Sequence, residues 1–233
     1  LDSLYRKKYH AGKEVVFISR HGDKHKYLSS HINHRANMLV FKQYGVEAIF
    51  STTICGVINE NFELGQLIFP NDLYYPSNRL PNGELCTLFT KPSQEGRGHA
   101  ICDDFFDKEL ITQLTKTAKS QNLEYIDNAV YGYTDGPRFN SRTEIQAFKQ
   151  IGVDVISQTI APEAVLAAEL EIPYACMAYG IDYANGIGNG KQISEEALKN
   201  ETPKGREIMY QVLLSAVRNF EPVKFKGLIY RFI

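Results

Sequence analysis

The chain has 233 residues, 43% hydrophobic and 23% charged, with a formal net charge of -1. That length suits one large domain, and the near-neutral charge argues against nucleic acid or an anionic membrane as the main partner. No apolar run reaches the roughly 18 residues of a membrane span, and no signal peptide is visible.

The predicted elements alternate strand and helix along the chain. "EVVFIS" (14–19) is a strand, and "INHRANMLVFKQYG" (32–45) is a helix with Ile32, Ala36, Leu39 and Val40 on one face and a glycine at its end. "EAIFSTT" (47–53) and "GQLIFP" (65–70) are short buried strands. Residues 76–106 are rich in Pro, Gly and Asp and form a long loop. A helix over 108–121 leads to a strand in "IDNAVYGYT" (126–134). The next helix, 141–152, opens on Ser141 and Glu144 spaced as a capping box. "VDVISQT" (153–159) is a strand, 161–171 a helix with Pro162 in its first turn, and "PYACMAYGI" (173–181) a strand. Pro203 is expected to separate a short helix at 194–200 from a C-terminal helix at 204–219. The alternation predicts an α/β fold with a largely parallel or mixed sheet. The four cysteines, Cys55, Cys86, Cys102 and Cys176, lack metal-site spacing. They are expected to be buried thiols in a reducing cytoplasm, with a Cys86–Cys102 disulfide as the alternative.

In open α/β sheets, ligands bind beyond the carboxyl ends of strands. There the chain places Arg20 and His21, then Thr52, Thr53, Cys55 and Gly56, then Ser157, Gln158 and Thr159, and finally Asp182. Arg20, His21, Thr53 and Thr159 suit an oxyanion such as phosphate, with a guanidinium fork and hydroxyl donors. Asp182 follows a strongly apolar strand, where burial would raise its pKa and fit it to act as an acid. Singly, each has a plainer reading. Arg20 and His21 make a surface pair, Thr52 and Thr53 fill a strand, Asp182 is a turn or cap residue, and Phe139 is a core ring. Their joint position favours a site, but spacing alone names no reaction.

At these residues the chain resembles the trimeric purine nucleoside phosphorylase and methylthioadenosine phosphorylase family. The matches are "SRHGDKH" (19–25), "INHRAN" (32–37), "STTICG" (51–56), "TDGPRFNSRTE" (134–144), "GVDVISQTIAPEAVLAAE" (152–169) and "YGIDYANG" (179–186), in family order. The resemblance implies a nucleoside phosphorylase fold with a mixed central sheet flanked by helices. It implies phosphorolysis of purine nucleosides of the methylthioadenosine or adenosine type, giving a free purine and a pentose 1-phosphate. Inorganic phosphate is then a co-substrate, and no metal or organic cofactor is implied.

By position, the resemblance makes Arg20, His21, Thr53 and Thr159 phosphate ligands and Asp182 the group that protonates N7 of the purine. Ile54, Cys55 and Gly56 wall the base pocket, and Phe139 packs against the purine. Gln158 stands where the family usually has a methionine under the ribose. Glu195 aligns near the sugar 5′ end. His99 is the histidine a neighbouring subunit lends, in a homotrimer or dimer of trimers.

The family's N-terminal strand and glycine-rich phosphate loop have no match before Glu14, so residues 1–233 are expected to form one domain without them. Ala184 replaces a second base-reading aspartate. A 6-oxopurine or methylthioinosine phosphorylase is the alternative, as is a non-catalytic nucleoside-binding relative. A hydrolytic nucleosidase is disfavoured, because Arg20, Thr53 and Thr159 would then have no anion to hold.

Overall fold

The computed structural model describes residues 5–188 and 195–232. Among these, β1 (Tyr5–His10) and β2 (Lys13–Ile18) form a separate two-stranded antiparallel ribbon. Its turn is Ala11-Gly12, both at positive φ (50° and 81°), the backbone that suits a two-residue hairpin to the strand twist. β1 was not legible as a strand because its residues are almost all exposed and polar.

α1 (His34–Gln43) leads into β3 (Ile49–Val57), followed by β4 (Leu67–Ile68), β5 (Asp72–Tyr74) and β6 (Gly98–Ile101). Then come α2 (Lys108–Ser120), β7 (Tyr125–Ile126), β8 (Val130–Tyr133), α3 (Arg142–Gln150), β9 (Val155–Ser157), α4 (Ile160–Glu169), β10 (Tyr174–Tyr183), α5 (Glu195–Arg218) and β11 (Leu228–Arg231). Seven strands form one sheet in the order β5-β8-β9-β3-β10-β4-β7. β3 runs parallel to β10 but antiparallel to β9, so the sheet is mixed, as expected. β6 and β11 pair in a second small ribbon.

Burial explains the middle of the sheet. β10 is buried at every position but its last, and a strand buried on both sides needs cover on both faces. α2 and α5 pack on β10 and on each other, while α4 packs on β10, β3 and β8 and pairs with α1. The core gathers Val57, Phe69, Phe106, Leu114, Tyr131 and Tyr174, each less than 3% exposed. None of the described helices is long and apolar enough to cross a membrane.

One expectation needs correction, and two alternatives are decided. α5 is continuous from Glu195 to Arg218 with Pro203 inside it, where a break was expected. Packing overrides the lost hydrogen bond. At Gly205 a Cβ would come within 2.3 Å of the Tyr179 ring, so the helix lies directly against β10. The four cysteines are free thiols, and Cys86 and Cys102 do not pair. Phe139 is 56% exposed and does not belong to the core.

The long loop is ordered by polar clamps. Arg35 of α1 donates to the carbonyls of Leu85 and Thr87. The Glu169 carboxylate accepts from the Thr87 hydroxyl at 2.6 Å and from the Leu88 N–H at 2.5 Å.

The capping box at α3 is present. The Ser141 hydroxyl accepts from the Glu144 N–H, and the Glu144 carboxylate accepts from the Ser141 N–H. Ser141→Ala should lower stability by about 1 kcal/mol, read as an earlier urea midpoint with an unchanged slope.

Candidate active site

Ser19, Arg20 and His21 follow β2 directly. The Arg20 guanidinium turns inward on Glu163 of α4, from Nε to Oε1 at 2.6 Å and from Nη2 to Oε2 at 2.8 Å. Nη2 also donates to the Ser51 hydroxyl at 2.5 Å, and Nη1 donates to the Thr52 carbonyl at 2.6 Å. Of the five guanidinium hydrogens, one on Nη1 is left for a ligand. The fork expected to face phosphate is therefore spent on Glu163. Burial disfavours the Arg20 charge, and the Glu163 carboxylate more than restores it.

Glu163 also accepts from the Ser51 hydroxyl (2.9 Å) and the Tyr174 hydroxyl (2.8 Å). Burial opposes its charge, but Arg20 and these donors hold its pKa below the usual carboxylate range. The sequence reading missed Glu163. Its signal was a single charge early in the apolar run "APEAVLAAE". A buried charge of that kind needs a partner.

His34, fully buried at the start of α1, lies behind this pair with Nδ1 4.0 Å from Glu163 Oε1. Burial pushes its pKa down to about 4, so it is neutral near pH 7. His21 is half-buried. Its Nδ1 meets the Tyr27 carbonyl at 2.8 Å, and its ring stacks on His25 with centroids 4.0 Å apart. Burial lowers the His21 pKa against that carbonyl, and His25 and Arg20 lower it further.

Thr53 lies inside β3, not beyond it, because β3 runs on to Val57. Its buried hydroxyl donates to the Ile54 carbonyl and meets the Ser157 hydroxyl at 2.9 Å. Thr159 is the residue before α4, and its hydroxyl does not cap that helix. The helix dipole favours an anion at this end.

Asp182 also lies within its strand. In the β3–β10 ladder Gly180 pairs with Cys55 and Asp182 with Gly56, so Ile181 is an extra residue. Such a bulge re-aims the side chains around it. Asp182 is 8% exposed. Burial alone pushes its pKa up to about 7. Burial also raises the Cys55 thiol, with the Asp182 charge adding to the effect. Ile54, Cys55 and Gly56 all lie on β3, and a Cβ at Gly56 would meet Ala184 at 3.7 Å. Asn185 donates to the Asn140 carbonyl at 2.7 Å and fastens the loop that carries Phe139.

The structure thus joins Arg20 and Glu163 to β3 at Ser51 and Thr52, Thr53 to Ser157, and Asp182 to Gly56. His99 and Glu195 make contacts elsewhere. His99 is on β6, exposed, its ring edge-on to Phe232 at 5.3 Å. Glu195 opens α5 and pairs with Lys199 at 2.5 Å.

Comparison with known proteins gives the family and the fold. The phosphorylase superfamily model matches residues 2–218. The chain is 36% identical to a probable S-methyl-5′-thioinosine phosphorylase of Thermodesulfovibrio yellowstonii, over 75% of this chain and 63% of that protein. It is 32% identical to a probable 6-oxopurine nucleoside phosphorylase of Thermococcus kodakarensis, over 84% of this chain and 74% of that protein. It is 33% identical to the S-methyl-5′-thioadenosine phosphorylase of Caenorhabditis elegans, over 74% and 59%. The chain therefore spans about three-fifths of the first and third of these relatives. The fold is that of methylthioadenosine phosphorylase from Schistosoma mansoni solved with adenine, with a TM-score of 0.82 at 23% identity, covering 91% of this chain and 78% of that one. With a family match over nearly its whole length, the chain belongs to the phosphorylase superfamily.

Proposed function

We propose that this chain catalyses phosphorolysis of purine nucleosides, releasing a free purine and a pentose 1-phosphate. The observation that carries the reading is Asp182, a carboxyl kept dry opposite Gly56 with a pKa near 7. Such a group can hold a proton at neutral pH and pass it to a leaving group. Arg20, His21, Thr53 and Thr159 supply the phosphate half, with the remaining Arg20 Nη1 hydrogen and the Thr159 hydroxyl as donors and the Thr53 hydroxyl, which donates to the Ile54 carbonyl, turning to the anion when it binds.

In the reaction a phosphate oxygen bonds to the anomeric carbon as the carbon–N9 bond breaks. The electron pair passes into the purine, and Asp182 protonates or hydrogen-bonds N7. Phosphate stabilises the positive charge that develops on the sugar. Ile54, Cys55, Gly56 and Phe139 enclose the base, and Gln158 adjoins the sugar.

The same reading includes a homotrimer in which His99 serves a neighbour's sugar site, Glu195 near the 5′ end, and action in the cytoplasm without a metal or organic cofactor. The four free thiols fit a reducing compartment. The preferred substrates are 6-aminopurines, adenosine and methylthioadenosine, because an ionised Asp182 repels O6. A second reading, 6-oxopurine turnover, is favoured by the raised Asp182 pKa, since the protonated acid is a donor. Ala184 reads no exocyclic group, so discrimination should be only about 10–100-fold. Values of kcat/KM for adenosine, methylthioadenosine, inosine and methylthioinosine, with and without phosphate, decide among these. Undiminished turnover without phosphate would instead identify a nucleosidase.

Arg20→Ala would strand the buried Glu163 charge and destabilise the fold, so Arg20→Lys is the cleaner probe. It should raise the phosphate KM by about tenfold or more with a smaller effect on the nucleoside KM. Asp182→Ala should lower kcat by about a hundredfold or more.

Asp182 also predicts a pH effect on stability. Its folded pKa, about 7, exceeds its unfolded value of 3.8, so the folded chain binds the extra proton. Its burial costs nothing below about pH 4, and the cost grows to a maximum above about pH 7. Asp182→Asn should therefore gain stability over the parent at pH 8, by up to about 4 kcal/mol. That advantage should vanish near pH 4, as followed by chemical unfolding at both pH values.

A further inference from the structure

Gln158 spends both ends of its side chain on other site segments. Its Oε1 accepts from the Ser29 hydroxyl at 2.7 Å, and its Nε2 donates to the Arg138 carbonyl at 3.1 Å. Ser29 is 7% exposed. It belongs to the segment whose Tyr27 carbonyl holds the His21 ring. Gln158 directly precedes Thr159, and Arg138 directly precedes Phe139. One hydrogen-bonded clasp therefore joins the His21 segment, the Thr159 segment and the Phe139 loop.

The loop backbone lies directly on this clasp. A Cβ at Gly136 would come within 2.1 Å of Gln158 Oε1 and 2.2 Å of Ser29 Oγ, so any side chain there would displace the clasp. The loop is also fastened at its two ends. The Thr134 N–H donates to the Ser157 carbonyl at 3.1 Å, and the Asn140 carbonyl accepts from Asn185 at 2.7 Å. Between those ends, Gln158 is the group that reaches the Arg138 carbonyl. The methionine implied by family resemblance at this position has neither the donor nor the amide acceptor to make both bonds.

We propose that Ser29 and Gln158 are positioning residues. They hold the 134–140 loop so that Phe139 is presented to the purine base, and they anchor it to the phosphate half of the site. The role of Phe139 rests on the phosphorolytic reading, but the clasp itself does not.

The acceptor carbonyl belongs to the Arg138–Phe139 peptide bond, which trypsin can cut. Limited trypsinolysis with mass-spectrometric assignment therefore reads the clasp directly. Ser29→Ala and Gln158→Leu should each speed cleavage after Arg138 by about fivefold, the worth of an ordinary hydrogen bond. Cleavage after Lys116 on α2 should be unchanged. Ser29→Ala should also raise the nucleoside KM by about fivefold and move the phosphate KM by less than about twofold. Ser29→Thr, which keeps the hydroxyl, should restore both readouts.

Unchanged cleavage after Arg138 in both variants would overturn the clasp. Faster cleavage with an unchanged nucleoside KM would overturn its positioning role. Turnover that proves independent of phosphate would sink the phosphorolytic reading and leave the proteolysis result standing.

Discussion

The site depends on one buried ion pair. Arg20 and Glu163 lie 143 positions apart in sequence and meet through two hydrogen bonds, at 2.6 and 2.8 Å. The pair ties the end of β2 to the first turn of α4, and through Ser51, Thr52 and Tyr174 it reaches β3 and β10. Two charges taken out of water are costly, and their attraction offsets that cost only when the remaining donors and acceptors are also satisfied. Here Glu163 accepts four hydrogen bonds, so the geometry is over-determined. The pair contributes less to net stability than to fixing where the Arg20 charge sits. Loss of either partner alone would leave an uncompensated buried charge, a penalty of about 3–5 kcal/mol.

Asp182, on β10, is the opposite case. Among the described residues it has no charged partner, and burial raises its pKa where Arg20 and hydrogen-bonding donors lower that of Glu163. Two carboxyls in one core are thus pushed apart in pKa by their surroundings. Glu163 stays ionised and structural, and Asp182 is poised near neutrality. Divergence of this kind is how one site keeps a fixed charge beside a transferable proton. The bulge at Ile181 sets Asp182 against Gly56. A regular strand would shift the register and turn a different side chain to that place.

Much of this was legible along the chain. The alternation of short apolar runs with amphipathic helices marked an α/β fold, and Ser141 with Glu144 marked a helix start, because these signals are local. Arg20, His21, Thr53, Thr159 and Asp182 were legible as the polar groups that interrupt or follow apolar runs, because side-chain type is read directly from the chain. β1 escaped notice because an exposed ribbon lacks an apolar face to read. Pro203 misled because its cost inside a helix is local, whereas the contact of Gly205 with Tyr179 that accompanies it is not.

By itself the sequence determined the fold class, most of the elements and the identity of the groups available for chemistry. Periodicity, caps and turns depend on neighbours a few positions away, and chemistry depends on side-chain type. Only the tertiary structure decided how those groups are used. It turned the Arg20 fork inward onto Glu163, set Asp182 in a dry position through a one-residue bulge, and spent Gln158 on Ser29 and Arg138. Each of these rests on partners distant in sequence and on exclusion of water. Burial, pairing and pKa arise only when the chain closes on itself.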